Sequence, residues 1–298
     1  MPFNIYFAGE TYIESDDYIR ERGGLRLFSY ADNKKLIERW REFNCGNRLL
    51  IDSGAFSVAH RGISIDIYEY IKYINNNDDI NSWVELDTIP YPILNTFTAK
   101  DSCEKSWTSY KYMRQQVRDN ANLLPLYHFG EPEYALSRVI DESKEDYIGI
   151  GGRHGVSTAE QIKYFNWVFR VIANSSKPNI RVHAFGITTP EILNRFPFYS
   201  ADSSAWIKAS VFGEVMMRDT LKRISISNNT KHLQDNFDYL PKEAKQLFEK
   251  QVEYFGYTIQ QLQEDVKCRQ RYNIDVLLDW ANNYKYMGKE SFKIGALF

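Results

Sequence analysis

Three aspartates stand where apolar runs of the chain give out. RLLIDSGAF (residues 48–56) closes on Asp52, SWVELDTIP (82–90) closes on Asp87, and FYSADSSAW (198–206) carries Asp202 inside an apolar stretch. A carboxylate in such company is either paired or used, because an unpaired charge pays heavily to leave water. Two carboxylates in unlike environments can divide a displacement at a sugar carbon between them, one attacking and one moving the proton. Further polar or glycine residues end three more runs. They are His128 in NLLPLYHFGE (122–131), Gly151-Gly152 in DYIGIGG (146–152), and Gly186 in IRVHAFG (180–186). A single Asp at such a place usually caps a helix or accepts a loop hydrogen bond. Three of them on three runs point to a shared site, provided the runs converge.

What would make them converge is a parallel sheet. Apolar runs near residues 3–9, 25–30, 48–56, 82–90, 122–131, 146–152, 180–186 and 198–206 alternate with amphipathic segments. Helices are expected over 33–43, 64–74, 99–119, 132–143, 157–173 and 189–195. Ser157 with Glu160 makes a capping box, and Pro190 suits a first helical position. VFGEVMM (211–217) is a further candidate strand to close the set. Strand and helix in regular alternation call for crossover helices over a parallel sheet. About eight units in 298 residues fit a (β/α)8 barrel. No GxGxxG follows the first strand, which argues against a dinucleotide-binding fold. We therefore expect an α/β barrel over residues 1–230 and a helical extension over 231–298, its two long helical patterns packed on the barrel's outside.

Composition narrows the class. Hydrophobic residues make up 43% and charged residues 26%, with a formal net charge of -2, as for a soluble globular chain with no global bias toward polyanions. The three cysteines, Cys45, Cys103 and Cys268, form no CxxC pair, so neither a cysteine-built zinc site nor a disulfide framework is expected. The start, MPFNIYFAGE, lacks a basic segment followed by a long apolar one, and no window reaches the roughly 18 apolar residues of a membrane span. A cytoplasmic location is the expectation.

Taken together, five of these segments resemble the tRNA-guanine transglycosylases. Asp52-Ser53-Gly54-Ala55-Phe56 resembles the family's D-S-G-G-[FY], and Asp87 falls at its base-recognising aspartate. Gly149-Ile150-Gly151-Gly152 resembles its glycine-rich strand end, AFGITTPEIL its M-G-V-G-x-P-E-x-L, and Asp202 falls on its nucleophile. The segments occur in family order across roughly residues 48–206. There are departures. Ala55 replaces the second glycine, His128 stands for a base-reading glutamine, and Ala205-Trp206 replaces P-T-R. The family's zinc module of three cysteines and a histidine is not found. This pattern is closest to the branch that exchanges guanine in DNA for a 7-deazaguanine, including compact phage-borne members.

The resemblance implies a pentosyltransferase with no cofactor and no metal. Asp202 would be the nucleophile at C1′ and Asp52 the acid/base. Asp87, Ser53, Phe56, His128, Gly151, Gly152, Phe185 and Gly186 would hold the base. The partners would be DNA, or tRNA as the alternative, and a free 7-deazaguanine such as preQ0 or preQ1. A duplex would need opening, by binding energy or by a further protein. Other readings stay open. Phe56 and Phe185 also read as core, His128 as a satisfied interior histidine, and His183 as lining the barrel interior or its rim. Arg153 and His154 read either as a phosphate contact or as a solvated loop. A barrel hydrolase of nucleosides or glycosides would use the same carboxylate pair, and a non-catalytic nucleic-acid-binding descendant would need none of it.

Overall fold

The computed structural model describes residues 3–55, 64–90, 97–152, 155–234 and 236–288. Nine parallel strand segments form one sheet: β1 (Asn4–Phe7), β2 (Leu25–Ser29), β3 (Leu49–Asp52), β4 (Ser82–Val84), β5 (Asn122–Leu124), β6 (Leu126–Tyr127), β7 (Tyr147–Gly151), β8 (Arg181–Phe185) and β9 (Ser200–Ser203). Their order is β5-β4-β3-β2-β1-β9-β8-β7-β6. The two ends of that order, β5 and β6, are halves of one strand parted at Pro125. Proline has no N–H for the ladder. Its carbonyl nevertheless accepts from Gly149 N (3.0 Å), and the side chain of Glu85 accepts from Leu126 N (2.7 Å). The nine segments therefore make eight staves of a nearly closed TIM-like barrel.

Closure differs from the expectation at one point. Residues 211–217 do not join the barrel. The helix Ala205–Val211 ends there, and Glu214–Met216 (β10) pairs antiparallel with Arg223–Ser225 (β11) as a separate hairpin. The seam is made instead by β1 and β9, in register from Asn4 opposite Ser200 to Phe7 opposite Ser203.

Why these runs are strands follows from their two buried faces. Leu49, Ile51, Trp83, Leu123, Ile148, Val182 and Ala184 point outward into the helix layer, while Tyr6, Leu50, Val84, Leu124, Leu126 and Tyr147 fill the barrel. Strands covered on both sides read as continuous apolar runs, which is how the sequence shows them. The helix Thr158–Ala173 opens with the Ser157/Glu160 capping box. A helix the sequence pattern leaves unmarked, Ile13–Glu21, follows β1. Only Ser15, Asp16 and Ile19 are buried on it. It is held instead by a buried ion pair from Asp16 to Arg26 (2.8 Å) and by Trp40 Nε1, which donates to Asp16 (2.7 Å).

Among its described residues the C-terminal segment forms three α-helices rather than two, Lys242–Tyr254, Ile259–Glu264 and Val266–Asn282. The break falls at Asp265, whose carboxylate caps Lys267 N (2.7 Å) in place of a continued helix. The last helix packs on the outside of the barrel across the β1/β9 seam, against Ile13–Glu21 and Ala205–Val211. Asn273 ties it down, donating to Trp206 O (3.0 Å) and accepting from Met216 N (2.9 Å).

Candidate active site

At the carboxyl ends of the strands lies a cavity of about 260 Å³. It is near the lower end of ligand pockets, roughly 300–1,000 Å³, and so scaled to a single heterocycle more than to a whole nucleotide. Asp52, Asp87, His128, Gly151, Gly152, Phe185, Gly186 and Asp202 all line it. Leu27, Ile89 and Leu126 complete the wall as apolar residues the motifs did not mark. Ser53 stands behind the wall and donates to Asp87 Oδ1 (3.1 Å). Phe56, Arg153 and His154 lie outside the described residues.

Strand alternation aims each carboxylate. Asp52 shares the inner face of β3 with Leu50, and Asp202 that of β9 with Ser200. After Asp52 the chain turns sharply at Gly54, where φ is +91°. A Cβ there would come within 2.5 Å of Ser29 Oγ and 2.6 Å of Ala31 Cβ, so only glycine makes this turn without displacing β2's end. The turn points Gly54 N at Asp52 Oδ2 (3.2 Å). Gly149 has a different task. A Cβ on it would collide with Leu126 Cδ2 at 2.1 Å and with Phe185 Cε2 at 2.5 Å. Its missing side chain is the space in which the Phe185 ring lies.

The electrostatics divide the acids. Burial, then the charge of Asp87, pushes the Asp52 carboxyl up to about 7; Gly54 N–H opposes this and Asp202 adds to it. Near neutral pH it can therefore give or take a proton. His128 Nε2 sits 3.0 Å from Asp87 Oδ2. Burial pulls the imidazole down, but the hydrogen bond and charge of Asp87, with Glu131 and Asp52, outweigh it and leave the ring more basic than usual. Asp87 thus has one oxygen on Ser53 and one on His128. Asp202 Oδ1 accepts from Gly186 N (2.8 Å) and lies 3.4 Å from His183 Nε2.

Three acidic or basic residues missing from the expected site stand just behind it. Glu131 accepts from His128 N (2.9 Å), and burial first of all pushes its carboxyl up to about 7. Glu85, the acceptor for Leu126 N, is pushed well above the carboxylate range by burial. His183 is wholly buried inside the barrel. The period of two along RVHAF puts His183 on the same face as Phe185, and of the interior and the rim, the two places that alternation left open, the structure takes the interior. Nothing local marks Glu85 or Glu131, since what matters is the Pro125 gap and the neighbouring strand.

Among the described residues no group of three His, Cys, Asp or Glu side chains has the arrangement of a metal site, and no helix is long and apolar enough to cross a membrane. No protein-family model matches the chain, and no curated protein matches it.

Proposed function

We propose that the protein is a nucleobase-exchanging transglycosylase, one that replaces guanine in DNA with a 7-deazaguanine through a covalent aspartyl-glycosyl intermediate. The observation that carries this reading is the meeting of Asp52, Asp87 and Asp202, from three different staves, in one base-sized cavity. Asp202 attacks C1′ as the bond to the guanine ring nitrogen breaks, and Asp52 supplies the proton the departing base needs. Asp52 then takes the ring proton of the incoming 7-deazaguanine, whose nitrogen attacks C1′ and releases Asp202. Two displacements at one carbon retain configuration, as in retaining glycosidases. An acid/base works best with its pKa near the working pH, which suits Asp52 at about 7.

Asp87 is placed to accept the N1–H and exocyclic amino donors of an oxopurine. The Gly152 N–H already donates to Phe185 O at 3.3 Å. His128 engages Asp87 through Nε2, and its Nδ1 lies on the Gly151 side, 3.2 Å from where a Gly151 Cβ would be. A protonated His128 therefore offers Nδ1–H to the 6-oxo group. Phe185 gives the base a stacking face, worth roughly 1–3 kcal/mol. The preference for DNA over tRNA rests on the sequence's departures from the tRNA enzymes.

Radiolabelled guanine, offered with DNA and with tRNA, tests the reading. Incorporation into DNA that disappears in Asp202→Ala supports it. Label entering tRNA alone transfers the same chemistry to tRNA. Unchanged exchange in Asp202→Ala refutes the nucleophile, and release of free base without exchange makes the protein a hydrolase.

A further inference from the structure

The barrel interior below the cavity is not wholly apolar. Strands β7, β8 and β9 turn Tyr147, His183 and Ser200 inward, all buried; His183 is in register with Ser200, and Tyr147 lies two residues before His183's partner on β7, Gly149. Ser200 Oγ lies 2.7 Å from Tyr147 Oη and 2.7 Å from His183 Nδ1. Tyr147 Oη is 3.4 Å from His183 Nδ1. On its other side the imidazole turns Nε2 toward Asp202 Oδ1 at 3.4 Å. The ring is held in this plane by edge contacts, 4.3 Å to the Phe185 centroid and 5.7 Å to that of Tyr6.

Counting hydrogens gives the chain a direction. Burial, first among several causes, holds the Tyr147 phenol far above its usual range, so it keeps its proton. That proton needs an acceptor, and Ser200 Oγ is the near one. The Ser200 hydrogen then goes to His183 Nδ1, which must be the bare ring nitrogen. The imidazole proton is left on Nε2, aimed at Asp202. Reversing the chain has two costs. It strands the phenol hydrogen in the interior, and it sets a bare Nε2 lone pair against a carboxylate. A doubly protonated ring leaves one hydroxyl hydrogen of Ser200 or Tyr147 without an acceptor.

We infer that Tyr147, Ser200 and His183 form a one-way hydrogen-bond relay that fixes His183 as its Nε2–H tautomer and makes it a positioning residue for Asp202. Together with Gly186 N–H it loads both donors onto Oδ1. Among the described residues no hydrogen bond reaches Oδ2, which is left as the attacking oxygen. The word attacking rests on the transglycosylase reading; the tautomer does not. Among the described residues the titratable groups around Asp202 are His183 from β8, Tyr6, its register partner on β1, and, on the other walls of the cavity, Asp52, Asp87 and His128. Burial keeps Tyr6 a neutral phenol.

Two measurements on the full chain test this. The first is the nitrogen-15 NMR pattern of the histidine rings, with His183 assigned by its loss in His183→Gln. The expected result is a neutral ring protonated on Nε2, with that preference weakened in Ser200→Ala. A proton on Nδ1 overturns the relay whatever the protein's activity. The second is guanine exchange by His183→Leu, His183→Gln and Tyr147→Phe. A hydrogen bond to a charged group is worth about 10- to 100-fold. His183→Leu should lose about that much in kcat with KM within about threefold. His183→Gln, whose amide can still donate, should recover much of the loss. A His183→Leu protein that melts earlier but keeps its kcat refutes the positioning role. If the wild type exchanges no base at all, the transglycosylase reading fails, and the NMR result still decides the tautomer.

Discussion

Asp52 is the residue whose replacement says most about the site, because folding disfavours the ionised form of its carboxyl. Burial, and then Asp87, moves it from the ordinary 3.8 to about 7. The unfolded chain releases this proton near pH 4 and the folded chain only near pH 7. The folded state therefore binds more protons between those values, and stability falls as pH rises through the window. At 1.36 kcal/mol per pH unit the displacement corresponds to about 4 kcal/mol of stability, present below pH 4 and lost by about pH 7–8. Asp52→Asn keeps the shape and an acceptor for Gly54 N but cannot ionise. Its stability should match that of the wild type near pH 4 and exceed it increasingly toward pH 8, by an amount on the order of several kcal/mol. Urea denaturation of both proteins at half-unit steps from pH 4 to 8 measures this. The variant should also lose guanine exchange, so that stability and activity move in opposite directions. Parallel stability curves for the two proteins would show that Asp52 titrates normally, and would remove it as the acid/base. Asp87→Asn provides a check on cause. It should lower the Asp52 value without restoring the ordinary one, because burial remains.

Other consequences concern residues around the site. Gly149→Ala places a methyl 2.5 Å from Phe185 Cε2 and 2.1 Å from Leu126 Cδ2, so the ring must move. The expected results are about 1–3 kcal/mol of lost stability in calorimetry and a raised KM for the free base, with kcat less affected. Glu85→Gln keeps an acceptor for Leu126 N and removes a titrating group, so its stability should change little at neutral pH. Glu85→Leu leaves that N–H unpaired beside the Pro125 gap and should cost about 1–3 kcal/mol in the same denaturation assay.

The order of elements was legible in the sequence for a physical reason. Each barrel strand is covered by helices on one side and by the opposite strands on the other, so it is mostly apolar, and its buried polar exceptions, such as Arg26, His183 and Ser200, are hydrogen-bonded. The position where the apolar run gives out is then the rim. That is why Asp52, Asp87, His128, Gly151, Gly186 and Asp202 could be placed at strand ends with no structure in hand. Local pattern failed where burial is partial or shared. Ile13–Glu21 escaped notice because its anchor is the Asp16–Arg26 pair instead of an apolar stripe. VFGEVMM is apolar enough for a strand, yet a short apolar run fits a helix end and a hairpin equally well. Its place was settled by β1 pairing with β9.

Residue types along the chain thus determined the barrel, its eight staves and the rim on which the polar groups stand. Only the tertiary structure decided what state those groups are in. The basicity of Asp52 depends first on its burial at the barrel mouth, and then on how near Asp87 and Asp202 come to it. The proton on His183 depends on Tyr147 and Ser200, 36 and 17 residues away in sequence. Charge and hydrogen bonding act through space over a few ångströms, and it is barrel closure that brings these residues within that range.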